Sequence, residues 1–142
     1  MKKIFYSAVI SLLFIITSCE KKYEEGPQFS LRSAKARVAG DWKLEKFSYN
    51  NVDLTAGIDT LFGSNFMLEF SKGGSYSITG YSVDHGTWEL GEDKDDILLK
   101  SDDPNSIQRS YRILKLKNKE LWFKETQSNG DVLEFHFMST GN

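Results

Sequence analysis

Cysteine, proline and histidine are almost absent from this chain. The one cysteine, Cys19, has no partner for an internal disulfide, which leaves a free thiol or a modification site. The two prolines, Pro27 and Pro104, both fall in polar connections, so neither interrupts an apolar segment. His85 and His136 stand far apart and cannot supply the three or four ligands at recognisable spacing that zinc asks for. No apolar run approaches the ~20 residues of a membrane-spanning helix; the run Ile4–Ile16 has 13. Charge is nearly balanced, with 18 basic and 20 acidic residues.

What stands at the start is a positive Met1-Lys2-Lys3 followed by that apolar run, softened by Tyr6, Ser7 and Ser11. These are the proportions of a secretory signal peptide. Ile16-Thr17-Ser18-Cys19 then resembles the lipobox of bacterial lipoproteins, in the form tolerated by signals of the Bacteroidetes type. The resemblance implies cleavage before Cys19, a thioether-linked lipid on its sulfur and an acyl chain (palmitate) on the new N-terminus. Several chains together anchor stably where one binds only marginally. Residues 1–18 therefore read as a signal peptide, and the mature protein as anchored to a membrane of the cell envelope, the outer membrane first, without spanning it. Which leaflet it faces stays open. A Cys buried near the end of a membrane helix is the competing reading, and the length of the run argues against it. Cleavage removes Lys2 and Lys3 and no acid, leaving 16 basic and 20 acidic residues, net −4. That balance argues against nucleic acid or an anionic bilayer as the main partner.

Residues 19–28 are almost free of apolar side chains and end in Gly26-Pro27, the composition of a flexible tether. Glu24-Glu25 resembles the acidic surface-export signal of some Bacteroidetes lipoproteins, and equally fits a solvated tether. Phe29–Ala39 has helical texture: Ser30 is a candidate N-cap, and Leu31, Ala34 and Val38 recur at i, i+3, i+7. So short a helix needs something to dock on.

From Gly40 onward the period changes from 3.6 to 2. Aromatic and β-branched residues alternate with polar ones between Gly, Asn, Asp and Ser clusters, the signature of strands and turns. Eight strands are predicted: Trp42–Tyr49, Phe66–Phe70, Ser75–Tyr81, Gly86–Leu90, Asp96–Ser101, Ile107–Leu116, Glu120–Gln127 and Val132–Met138. Phe47 and Tyr49 run out of phase with Trp42 and Leu44, which calls for a bulge near Glu45-Lys46. Ser71-Lys72-Gly73-Gly74 and Ser128-Asn129-Gly130-Asp131 read as hairpin turns. Short connections make sequence neighbours antiparallel neighbours in space. An all-β, eight-stranded up-and-down barrel with a short N-terminal helix plugging one mouth is the expected fold, with a β-sandwich as the alternative.

Val38-Ala39-Gly40-Asp41-Trp42-Lys43-Leu44 resembles the opening G-x-W strand of lipocalin-like domains. Phe70-Ser71-Lys72-Gly73-Gly74-Ser75-Tyr76 and Gly86-Thr87-Trp88-Glu89-Leu90 are similar to the F-x-x-G-x-Y and G-x-W hairpin of small Bacteroidetes lipocalin-like lipoproteins. Tyr111-Arg112-Ile113 and Glu120-Leu121-Trp122-Phe123 fit the same pattern. The resemblance spans Val38–Met138 and implies a barrel, with an apolar cavity as its candidate site.

Chemistry is sparse. A nucleophilic triad needs a His beside a Ser or Cys and an orienting acid; His85 lies in a turn and His136 on the polar face of the last strand, with no neighbouring motif. The acidic stretches Glu92-Asp93-Lys94-Asp95-Asp96 and Asp102-Asp103 lack the glycine bend and distal Glu of a calcium loop. No enzyme activity, metal or cofactor is expected. The remaining candidate site is the barrel interior, where Trp42, Phe66, Phe70, Tyr76, Trp88, Tyr111, Phe123 and Phe135 would line a pocket for a small apolar or amphipathic ligand. The competing reading is a core solidly filled by those same rings, in a monomeric module that recognises an envelope protein or glycan. The long Asn50–Asn65 loop, carrying Leu54, Ile58, Leu61 and Phe62, would be a lid over an open mouth or a contact patch.

Overall fold

The computed structural model describes residues 32–141. The expected signal segment, Cys19, the expected tether, and Phe29, Ser30 and Leu31 of the expected helix lie outside them. Within them the order is α1 (Ala34–Val38), β1 (Gly40–Tyr49), β2 (Val52–Asp53), a 3₁₀ turn (Thr55–Gly57), α2 (Ile58–Phe62), β3 (Met67–Phe70) and β4 (Ser75–Thr79). Then come β5 (Asp84–Leu90), β6 (Asp96–Ser101), β7 (Arg109–Leu116), β8 (Glu120–Thr126) and β9 (Val132–Ser139). All pairings are antiparallel, and β1 pairs with β9 as well as with β3, so β1 and β3–β9 close into an eight-stranded barrel. The ring of pairings has no break into two sheets, which decides against a sandwich.

Local sequence explains the wall. In β1 the register against β9 shifts between Leu44 and Lys46, so Glu45 is the extra residue of a bulge and Phe47 returns to the interior. A second bulge at Leu114 in β7 sets Ile113 opposite Phe123 and Lys115 opposite Trp122. Gly86, directly across from Tyr76, is required by close approach: a Cβ there would lie 2.1 Å from the Lys100 carbonyl oxygen. At Gly80 (φ +149°) a Cβ would lie 2.4 Å from the Phe62 oxygen. That contact ends β4 at Thr79, before the predicted Tyr81, and lets the Tyr81 N–H donate to Phe62 O at 2.9 Å.

Among the described residues the N-terminal helix runs Ala34–Val38, and Ser33 caps it by accepting from Ala36 N–H at 3.1 Å; the expected cap, Ser30, lies outside them. The helix plugs the base of the barrel as expected: Val38 is fully buried, Arg37 donates to Leu116 O at 2.7 Å, and Trp42 Nε1 donates to Val38 O at 2.8 Å. The other end carries the β1–β2 hairpin, α2 and the β4–β5, β6–β7 and β8–β9 connections, and is called here the loop end.

Candidate functional site

Aromatic rings pack together in the barrel interior. Of the eight predicted lining residues, Trp42, Phe70, Tyr76, Trp88, Tyr111, Phe123 and Phe135 are buried, and all of them belong to one apolar cluster with Leu44, Ile97 and Leu121. Their rings touch: Tyr111 lies 4.8 Å from Phe123, Phe70 5.1 Å from Trp88, and Phe123 5.5 Å from Phe135, centroid to centroid. Phe66 differs from the other seven. It precedes β3, is half-buried and packs on Phe62 at 5.1 Å, so it belongs to the roof. α2 is that roof. Phe62 meets Phe47 edge to face at 4.9 Å, and Leu54 and Ile58 also pack on the core, while Leu61 on the same helix points to solvent. The Asn50–Asn65 segment is thus a docked lid bearing two outward apolar residues, Val52 and Leu61.

Beneath the loop end lies a polar knot. Tyr76 OH donates to Asp84 Oδ2 at 2.7 Å, Ser101 Oγ donates to Asp84 Oδ1 at 2.6 Å, and the His85 N–H donates to Oδ1 at 3.0 Å. Burial pushes the Asp84 carboxyl up, but these hydrogen bonds outweigh it and hold the group below its ordinary value. Burial and the Asp84 carboxylate together push the Tyr76 phenol well above its ordinary range. Nothing here resembles a nucleophile with its base. The knot fastens β4, β5 and β6 together under the connections.

The loop end also gathers the apolar side chains left outside the core. Tyr81 and Val83 in the β4–β5 connection are each 74% exposed, Ile107 in the β6–β7 connection 80%, and Leu61 on α2 50%. Leu61 and Tyr81 are neighbours through the Phe62–Tyr81 hydrogen bond. Acids surround them: Asp53, Asp59, Asp102 and Asp103 are all exposed at this end. Of the two histidines, His85 sits here, 3.7 Å from Asp102, and His136 lies on the outer wall, stacked on Trp122 at 3.9 Å. Lys115 Nζ covers Trp122 at 3.6 Å and pairs with Glu120 at 3.1 Å. Among the described residues no three His, Cys, Asp or Glu side chains are gathered to hold a metal; Asp95 and Asp96 of the acidic run pair with Arg112.

Among the surface clefts of the described residues, two bear on a binding site. One of about 330 Å³ at the base lies between α1 and the β7–β8 turn, lined by Arg32, Arg37, Asp41, Asn118 and Lys119 among others. The larger, about 470 Å³, lies at the loop end between the start of β7 and the end of β8, with Arg109, Ser110, Glu125 and Thr126 on its walls. It was missed because nothing in the hairpin sequence marks where two strands stop pairing. The β1–β2 hairpin was missed too, although Asn50-Asn51, at φ 48° and 64°, carries the turn signal. No family model matches the chain, and no curated protein is significantly similar to it.

Proposed function

We propose that this protein is a lipid-anchored envelope module, held by Cys19, that recognises a protein partner through the loop end of a filled barrel and carries out no chemistry of its own. The observation behind this reading is a division of the apolar side chains. The rings that would line a ligand cavity pack against one another under a docked lid, while Leu61, Tyr81, Val83 and Ile107 stand exposed at the end opposite α1. Exposed apolar patches rimmed by polar residues mark interaction surfaces. A tether that enters at α1 leaves the loop end facing away from the anchor. The acids around the tips favour a partner surface bearing basic residues, chiefly through faster encounter.

The test is a photo-crosslinking residue placed at Val83 in the living cell, with the same residue at exposed Lys100 on the barrel wall as control. A discrete adduct at Val83, absent at Lys100 and lost on Tyr81→Ser, is the expected result. Native mass spectrometry of residues 29–142 recovered from the host is expected to give a bare mass. A retained small-molecule adduct would overturn this reading in favour of a ligand carrier.

A further inference from the structure

The barrel wall is split at the loop end. The β7–β8 ladder ends at Arg112–Lys124, yet β7 begins three residues earlier at Arg109 and β8 continues two residues later to Thr126. Both strands stay regular there because each is held from its other side: Ser110 pairs with Leu98 of β6, and Thr126 with Val132 of β9. Alternation along an antiparallel strand tells which main-chain groups face the split. Ile113 N–H donates to Asp95 O and Gln127 N–H to Asp131 O, so the odd-numbered residues point away from it. Ser110 and Thr126 therefore turn their N–H and C=O into the cleft of about 470 Å³, with no strand partner across it.

We infer that this split is a peptide-binding site, which takes an extended segment of a partner protein by main-chain pairing with Ser110 of β7 or Thr126 of β8. The inference rests on the recognition reading above and supplies its binding mode. A strand edge with free donors and acceptors is a template for another strand. The β1–β9 pairing closes the ring, so its first and last strands offer no free edge to each other's side. The lining of the cleft is mixed, with the hydroxyls of Ser110 and Thr126 and the amides of Gln108 and Gln127 beside the apolar Ile107. An extended peptide backbone finds hydrogen-bond partners among those polar groups. Inside the split, Arg109 and Glu125 supply one charge of each sign, so the segment needs no net charge to enter.

The probe is an octapeptide of alternating Thr and Val with a terminal Lys at each end, titrated into the folded chain while amide resonances and hydrogen exchange are followed. In the free protein the Ser110 and Thr126 amides should exchange fast; with peptide, at least one should shift saturably and slow. Methylating alternate peptide nitrogens, which leaves every side chain in place, should weaken binding about tenfold. Ser110→Pro removes the donor that faces the cleft and should weaken it by a similar factor. Slow exchange at both amides in the free protein would overturn the inference. So would undisturbed amides at saturation, or equal binding of the methylated peptide. If the peptide fails while the Val83 adduct persists, only the split is refuted; a bound peptide with no Val83 adduct refutes the role of the loop tips instead.

Discussion

Replacing Gly86 by alanine tests whether the loop end is as tightly built as the geometry says. The added methyl would sit 2.1 Å from Lys100 O and 2.9 Å from Ser101 Cα, both backbone atoms. The first approach lies about 1 Å or more inside contact distance, and no flexible side chain is present to yield. Either β5 moves away from β6 or the strand twists, and Tyr76 on the facing strand moves with it. Overpacking of this kind costs about 1–3 kcal/mol, and each ladder or knot hydrogen bond lost adds about 1 kcal/mol. A total of about 3–4 kcal/mol corresponds to a fall of roughly 12–16 °C in melting temperature for a domain of this size. Thermal unfolding followed by circular dichroism, with urea titration as a second probe, measures it. Gly73→Ala is the control. Its methyl meets only Ser71 Oγ at an ordinary 3.6 Å, and the change should stay within about 0.5 kcal/mol. A fall of less than about 3 °C for Gly86→Ala would show that β5 and β6 part freely there, and would undo the argument that this glycine is demanded by close approach.

The polar knot gives a second prediction: Asp84→Ala leaves the hydroxyls of Tyr76 and Ser101 without their acceptor and should cost about 1–3 kcal/mol by urea denaturation. It also gives a pH dependence. Asp84 titrates lower folded than unfolded, so near pH ~4 the native state binds fewer protons, and stability present above that pH is lost as pH falls through it. Asp84→Asn should shrink this acid limb without abolishing it, because Asp53, Glu120 and Asp131 are also held low by hydrogen bonds. Tyr76 titrates higher folded than unfolded, so stability should fall as pH rises past ~10, and Tyr76→Phe should flatten that alkaline limb. Trp42→Ala should cost about 3–5 kcal/mol, since it empties a fully buried site beside α1 and removes the hydrogen bond to Val38 O. Under the anchoring proposal, Cys19→Ala should leave the protein in the soluble fraction without the mass of a lipid adduct; unchanged membrane partition would refute it.

Much of the architecture was legible because each strand carries its own record. The alternation of Leu133, Phe135 and Phe137 against Glu134 and His136 is the burial pattern of β9, and the phase break between Leu44 and Phe47 located the bulge at Glu45. Other features depend on contacts between distant segments, which no window of sequence holds. The Leu114 bulge is one, because the run Ile113-Leu114 fits either phase until β8 fixes the register. The cap at Ser33 goes with the docking of Arg37 and Val38 on the barrel base, a contact between distant segments. The stacking of Lys115, Trp122 and His136 joins three strands, so no single hairpin sequence shows it. Seven of the eight predicted lining residues are indeed inward, yet side-chain identity alone could not say whether they enclose a void or fill it. The ring contacts and the docked lid support the filled reading.

The β1–β9 pairing has a consequence for how the chain acquires its shape. It is a ladder of seven residue pairs, reaching from Trp42 with Ser139 to Tyr49 with Leu133, and it joins the first and last strands of the ring. A chain lacking β9 is an open, curling sheet with β1 and β8 both bare, so a nascent polypeptide cannot complete the wall until its final ten or so residues are free to pair. Contacts of such long sequence separation are formed late and slowly. Under the anchoring proposal the chain crosses a membrane from its N-terminus onward, and that order is then useful: the emerging chain stays loose and threadable until the last strand arrives, and the barrel closes in a single event on the far side.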